Sequence, residues 1–129
     1  MKKVTIVIPN YNGEKYIDEC FSALTKQSYK DFDVILADNG SEDNSISKAC
    51  QYKDKLDLNI KKLNCNYGFA KAVNEGIRQS QAEYVILLNN DTHAGRHFVE
   101  NLLNAIEMEK DVFAAQALML QYNSPELVD

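Results

Sequence analysis

Short β-branched runs, each followed by a segment with helical spacing, constrain this chain more than any other feature. Val4-Thr5-Ile6-Val7-Ile8 has no polar alternation and is closed by Pro9, the pattern of a strand buried on both faces of a parallel sheet. Asp33 to Asp38, stopped by Asn39-Gly40, and Tyr84 to Leu88 repeat it, and Leu58 to Leu63 is a more solvated version. Between the runs, Tyr16, Ile17, Cys20, Phe21 and Leu24 recur at helical spacing, with Asn12 as the expected N-cap and Glu14 in the first turn. Ser41 is expected to cap a short helix reaching about Tyr52. A third helix runs from about Tyr67 to Ser80, with Phe69, Ala70, Val73 and Ile77 along one face. Phe98, Val99, Leu102, Leu103 and Ile106 form the stripe of a fourth, ending near Lys110, and Val112 to Leu118 predicts a fifth strand. This alternation implies an α/β fold with a mostly parallel sheet and helices on both faces.

At 129 residues the chain is one domain's worth, and 45% apolar with 26% charged residues is enough to fill one core. Nineteen acidic residues against fourteen Lys and Arg give a net charge of −5, the wrong sign for a protein that neutralises nucleic-acid backbones. No apolar run approaches the roughly 20 residues of a membrane span, and Met1-Lys2-Lys3 leads straight into a strand, so a cytoplasmic location is expected. Cys20, Cys50 and Cys65 form no Cys-x-x-Cys pair and predict reduced thiols. The tail from Tyr122 to Asp129 shows no terminating element, so residues 1–129 read as one domain of a longer protein. An apolar face left uncovered in such a piece predicts self-association.

Ligands of an open parallel sheet bind outside the carboxyl ends of its strands. The segments there are Pro9-Asn10-Tyr11-Asn12-Gly13, Asp38-Asn39-Gly40-Ser41 and Asn89-Asn90-Asp91-Thr92. If the first strand lies between the second and the fourth, Asp38 and Asp91 are two strand spacings apart, roughly 10 Å, near the length of a nucleoside diphosphate. Each segment also has a purely structural use. Asp38-Asn39-Gly40-Ser41 is a good turn and cap, Asn89 to Asp91 can cap the next helix, and Tyr11 can pack as a surface aromatic. A carboxylate beside amide oxygens equally suits a hard divalent cation. His93 and His97 are spaced i,i+4, but Gly95 lies between them and no His-Glu-x-x-His pattern is present, so they are expected at the surface or at a cap. Neither a Gly-x-Gly-x-x-Gly nor a P-loop follows the first strand, which disfavours dinucleotide oxidoreductases and P-loop NTPases.

Taken in order, Val-Ile-Pro-Asn-Tyr-Asn-Gly (7–13), Ala-Asp-Asn-Gly-Ser-Glu-Asp (37–43), Asn-Tyr-Gly-Phe-Ala-Lys-Ala-Val-Asn-Glu-Gly (66–76) and Leu-Leu-Asn-Asn-Asp-Thr (87–92) resemble the family 2 glycosyltransferases of the GT-A fold, especially rhamnosyltransferase-like bacterial members. The resemblance implies a Rossmann-like sheet of the nucleotide-diphospho-sugar transferase type. It implies a UDP- or dTDP-linked donor, with Pro9, Asn10, Tyr11 and Asp38 holding base and ribose, and Gly68, Lys71 and Asn74 lying against the nucleotide. Asn89-Asn90-Asp91 stands where the family has Asp-x-Asp, so Asp91 would ligate Mg or Mn, while Asn89, a weaker ligand than the usual Asp, would contact sugar or ribose. In the whole protein the acceptor would be a glycan or a lipid-linked species, reached in the cytoplasm or at the cytoplasmic face of the membrane. The general base is expected beyond residue 129, which makes this chain the donor-binding half of an inverting transferase. Two other functions fit less of the pattern: a sugar-nucleotide pyrophosphorylase, whose Gly-rich loop is missing, and a non-catalytic nucleotide-sugar-binding module. As a loop carboxylate, Asp38 is expected to tolerate Asn without loss of fold.

Overall fold

A computed structural model describes residues 1–128. Strand β1 (Val4–Asn10) is followed by α1 (Glu14–Thr25), β2 (Phe32–Asp38), α2 (Ser45–Cys50), β3 (Leu58–Lys62), α3 (Phe69–Gln79), β4 (Tyr84–Leu87) and α4 (Phe98–Glu107). The four strands form one parallel sheet in the order β3-β2-β1-β4. The first strand therefore lies between the second and the fourth, and its last residue, Asn10, pairs in register with Asp38, the last of β2.

Both faces of the sheet are covered. On one, Val4, Ile6, Ile8, Val34 and Leu36 share a buried cluster with Ile17, Cys20, Phe21 and Leu24 of α1, Ala49 of α2, and Val99 and Leu103 of α4. On the other, α3 lies on β1 and β2 through Ala72, Val73 and Gly76. Gly76 allows that approach, because a Cβ there would overlap the Val7 side chain. Phe21, Ile6, Ile8, Ile17, Leu24 and Leu36 are among the largest fully buried side chains of the cluster on the first face. At about 1.5–3 kcal/mol for each such aliphatic or aromatic side chain, this cluster is the main force holding the sheet edge in place.

Local elements depart from expectation at four points. Of the expected stripe on α3 only Val73 is buried, while Phe69, Ala70 and Ile77 are exposed, because the helix approaches the sheet through Ala72, Val73 and Gly76. Asn12 does not cap α1: Gly13 occupies that position, and Asn12 adopts φ 48°, a left-handed conformation that Asn tolerates better than most residues. Its side-chain oxygen accepts from the Glu42 N–H at 2.9 Å, so it joins two loops instead. The second helix starts at Ser45, with Asn44 at its cap, because Ser41 donates its hydroxyl to Asp38 at 2.6 Å. No strand forms over 112–118. Phe113 is 93% exposed and the run stays apart from β4 across an apolar cavity, and strand propensity is largely a measure of fit to a half-buried pleated surface. The chain instead makes an antiparallel pair further on, β5 (Leu120–Gln121) with β6 (Ser124–Val128). β4 is consequently an edge strand in which Val85 and Leu87 are partly exposed.

Candidate functional site

At the carboxyl ends of β1, β2 and β4 lies a cleft of about 370 Å³, lined by Pro9, Asn10, Tyr11, Asn39, Asn66, Gly68, Phe69, Asn89, Asn90 and Asp91. Seven residues singled out from sequence thus share one depression: Pro9, Asn10, Tyr11, Gly68, Asn89, Asn90 and Asp91. A larger cavity of about 450 Å³ runs beside β4, but it is walled by apolar side chains of β4, α4 and residues 113–115 and carries no titratable group other than the Tyr84 phenol. Chemistry therefore points to the polar cleft.

Its two aspartates differ. Asp38 is 1% exposed, and Oδ1 accepts from Asn10 Nδ2 at 2.8 Å and from the Ser41 hydroxyl at 2.6 Å, while Oδ2 accepts from the Ser41 N–H at 2.9 Å. It stands behind the cleft wall rather than in it, so it is not the loosely held loop carboxylate that sequence suggested. Asp91 is exposed, lines the cleft, and among the described residues accepts no hydrogen bond. Lys71 and Asn74 lie on α3 outside the lining, the Lys71 ammonium resting 4.3 Å from the centre of the Tyr67 ring.

Three lining residues escaped the sequence analysis as site members. Asn39 ties β2 to the approach of α3, its amide donating to Gly68 O at 3.0 Å and accepting from the Tyr67 N–H at 3.3 Å. Asn66 accepts from the Gly68 N–H at 2.9 Å, an Asx-type turn that the Asn-x-Gly spacing signals. Phe69, 58% exposed at the start of α3, adds an aromatic side chain to the lining.

Asp43 was also missed, and it supports the rim from outside. Its carboxylate accepts from the Glu14 N–H, the first of α1, and from the N–H and hydroxyl of Ser45, the first residue of α2. Partial burial works to raise its pKa, but these hydrogen bonds prevail and hold it below the usual carboxylate value. A depressed folded pKa stabilises the protein above the unfolded value and loses that effect as pH falls through the folded one. One anion thus caps two helices at neutral pH.

The loop carrying Asp91 rests on Cys20, whose thiol lies 3.9 Å from Asn89 O. Burial pushes that thiol up to about 12, so it packs as a neutral group. His97 sits at the N-cap of α4 with Nδ1 3.1 Å from Ser28 Oγ and 3.0 Å from Glu100, whereas His93 faces Glu19 at 3.4 Å. Among the described residues no cluster of three or more His, Cys, Asp or Glu side chains is arranged to hold a metal by itself. The cleft walls contain no Lys, Arg or His. An anionic ligand entering there would meet the Asp91 carboxylate uncompensated unless a cation came with it.

Comparison with known proteins agrees with this architecture. The model of "Glycosyl transferase family 2" matches residues 5–126. The poly(ribitol-phosphate) beta-N-acetylglucosaminyltransferase TarS of Staphylococcus aureus is 30% identical over 78% of this chain and 18% of its own length. Glycosyltransferase GlyG of Streptococcus pneumoniae is 33% identical over 84% of this chain and 36% of its own. The crystal structure of TarS residues 1–349 in complex with UDP-GlcNAc superposes with a TM-score of 0.79 at 24% identity, over 94% of this chain and 39% of that one. The mannosyltransferase PcManGT of Pyrobaculum calidifontis, solved with GDP-Man and Mn2+, gives 0.68 at 24% identity over 72% of this chain and 28% of that one. The chain therefore spans well under half the length of these relatives. Its fold is that of the GT-A glycosyltransferases.

Proposed function

The chain belongs to glycosyl transferase family 2, and we propose that it is the donor-binding part of an inverting, metal-assisted transferase that moves a sugar from a UDP- or dTDP-linked donor to an acceptor hydroxyl. The observation that carries this is the exposed Asp91, without a hydrogen-bond partner among the described residues, in a cleft whose other polar side chains are amides and the Tyr11 phenol. A nucleoside diphosphate spans such a cleft with its base against Tyr11 and the wall backed by Asp38, and its diphosphate toward Asp91. The N-terminus of α3 opens at Gly68 on the same side, and free N–H groups at a helix start favour phosphate.

The donor set fits Mg or Mn delivered with the nucleotide rather than held in advance. Such ions bind through one or two carboxylates plus substrate phosphate oxygens, keeping several waters. Asp91 supplies the carboxylate, and the amide oxygen of Asn89 is a weaker, neutral second donor. When bound, the cation neutralises charge on the departing diphosphate. In the reaction the bond between the anomeric carbon and the diphosphate oxygen breaks as the acceptor oxygen bonds to that carbon from the opposite side. The acceptor's proton passes to a base contributed by the rest of the protein. The residues of this chain hold the donor so that its anomeric carbon faces that acceptor.

Calorimetric titration of UDP with and without Mn tests the assignment. We expect Mn to tighten UDP binding by about ten-fold or more in the natural sequence, as for a charge-bridging ligand, and to have no effect in Asp91→Asn. A full Mn effect in the variant would remove Asp91 from the metal role and the proposal with it.

A further inference from the structure

Asn10 is 2% exposed, and its amide is spent entirely on protein groups. Nδ2 faces Asp38 Oδ1 at 2.8 Å, Ser45 Oγ at 2.9 Å and Ser41 Oγ at 3.1 Å, while Oδ1 accepts from Asn90 Nδ2 at 2.8 Å. The hydroxyl protons of Ser41 and Ser45 are committed to Asp38 and Asp43, so both oxygens offer only lone pairs to Asn10. That fixes the amide's orientation, nitrogen toward β2 and oxygen toward Asn90. The chain thus runs a continuous hydrogen-bonded path from the Asp38 loop, through the end of the middle strand, to the residue beside Asp91.

Gly13 covers the last link. Its φ of −94° suits any residue, yet a Cβ there would overlap both Asn10 Oδ1 and Asn90 Nδ2. The requirement for glycine at this position comes from the Asn10–Asn90 bond and not from the backbone.

We infer that the Asn10–Asn90 pair beneath Gly13 is a clasp that sets the separation of the Asp38 rim from Asp91, making Asn10 and Asn90 positioning residues for the diphosphate end of the donor. This rests on the proposed donor site, in which one ligand must reach both loops at once. The clasp keeps Asp91 at the span the donor demands, the task that partners behind a metal ligand perform, and losing such a partner typically weakens metal affinity about ten- to a hundred-fold.

The test compares the natural sequence with Gly13→Ala, Asn90→Ala and the double variant, measuring uridine affinity and the ratio of UDP affinities with and without Mn. We expect uridine binding to stay within about two-fold in Asn90→Ala, which leaves the Asn10–Asp38 bond behind the base wall in place; Gly13→Ala, whose Cβ also overlaps Asn10 Oδ1, is read on the Mn-dependent ratio. The Mn-dependent ratio should fall about ten-fold in each single variant and no further in the double, since both changes break the same bond. Asn90→Ala adds no overlap and keeps the experiment informative even if Gly13→Ala folds poorly. Single variants that retain the natural ratio, or a double variant that loses the product of both effects, would overturn the clasp while leaving the donor site intact. Absence of any Mn effect in the natural sequence would instead overturn the donor site, and the clasp with it.

Discussion

Asp38 and Asp91 stand at the same rim of one sheet, at the ends of strands flanking β1, yet their surroundings are opposite. Asp38 is buried and saturated with donors, whereas Asp91 is exposed and bonded to none of the described residues. The first behaves as part of the framework, holding the loop whose shape the cleft needs. The second is free to meet a ligand. A carboxylate at a functional edge is therefore not a ligand contact by position alone. Its unspent hydrogen-bonding capacity decides.

The contrast can be broken most forcefully at Asp38. Replacement by Asn swaps one acceptor for a donor facing Asn10 or Ser41, and losing charge-assisted bonds in a buried network costs about 2–4 kcal/mol. That should lower Tm by roughly 6–15 °C for a domain of this size. Asp91→Asn should change stability by no more than about 0.5 kcal/mol, as for an exposed, unpartnered group. Thermal melts of the pair, in the absence of nucleotide, test this directly; equal Tm losses would erase the distinction.

A smaller effect separates two glycines with left-handed backbones. Gly40, in the Asp38 loop, has φ +79°, and a Cβ there would come 2.8 Å from the backbone of Cys65, whereas Gly68 at the cleft has φ +93° and open space around it. Gly40→Ala combines strain with a backbone clash and should cost about 3 kcal/mol; Gly68→Ala, whose ψ of 167° lies in a region nearly confined to glycine, carries strain alone, about 2 kcal/mol. Denaturant midpoints at constant m-value would show the order, and a reversed order would mean that the Asp38 loop is the softer of the two.

The smallest effect concerns how firmly the Asp91 loop is seated. Cys20 lies under it with its thiol held neutral by burial, while Cys50 and Cys65 are exposed. At pH 8, two thiols per chain should react with an aromatic disulfide reagent promptly and the third only on unfolding. Prompt reaction of all three would show that the loop lifts readily from α1.

Much of this site is legible in a linear chain. The runs ending at Pro9, Asp38 and Leu88 announce buried parallel strands, and the polar residues that follow them fall at one edge because parallel strands all end on the same side. What escapes is the partner of each polar atom. Asn12, ahead of a helical stripe, has the composition of a cap, but Gly13 occupies the N-cap position of α1 and Asn12 joins the Glu42 loop. Asp43 lies 29 residues from Glu14, yet it accepts from the first N–H of α1 as well as from the first of α2. The run at 112–118 has strand composition but pairs with no strand among the described residues and leaves Phe113 exposed.

Local pattern alone thus determined the order of the elements through α4, the polar edge of the sheet and the family, since each depends on periodicity or on short motifs carried within a few residues. Only the assembled sheet decided which aspartate is spent and which is free, and that Asn10 turns inward to Asn90. Asp38 takes two of its bonds from Ser41, three residues on, but the Asn10 bonds to Asp38 and Asn90 join residues 28 and 80 positions apart and come into existence only when packing of the core brings the strand ends together.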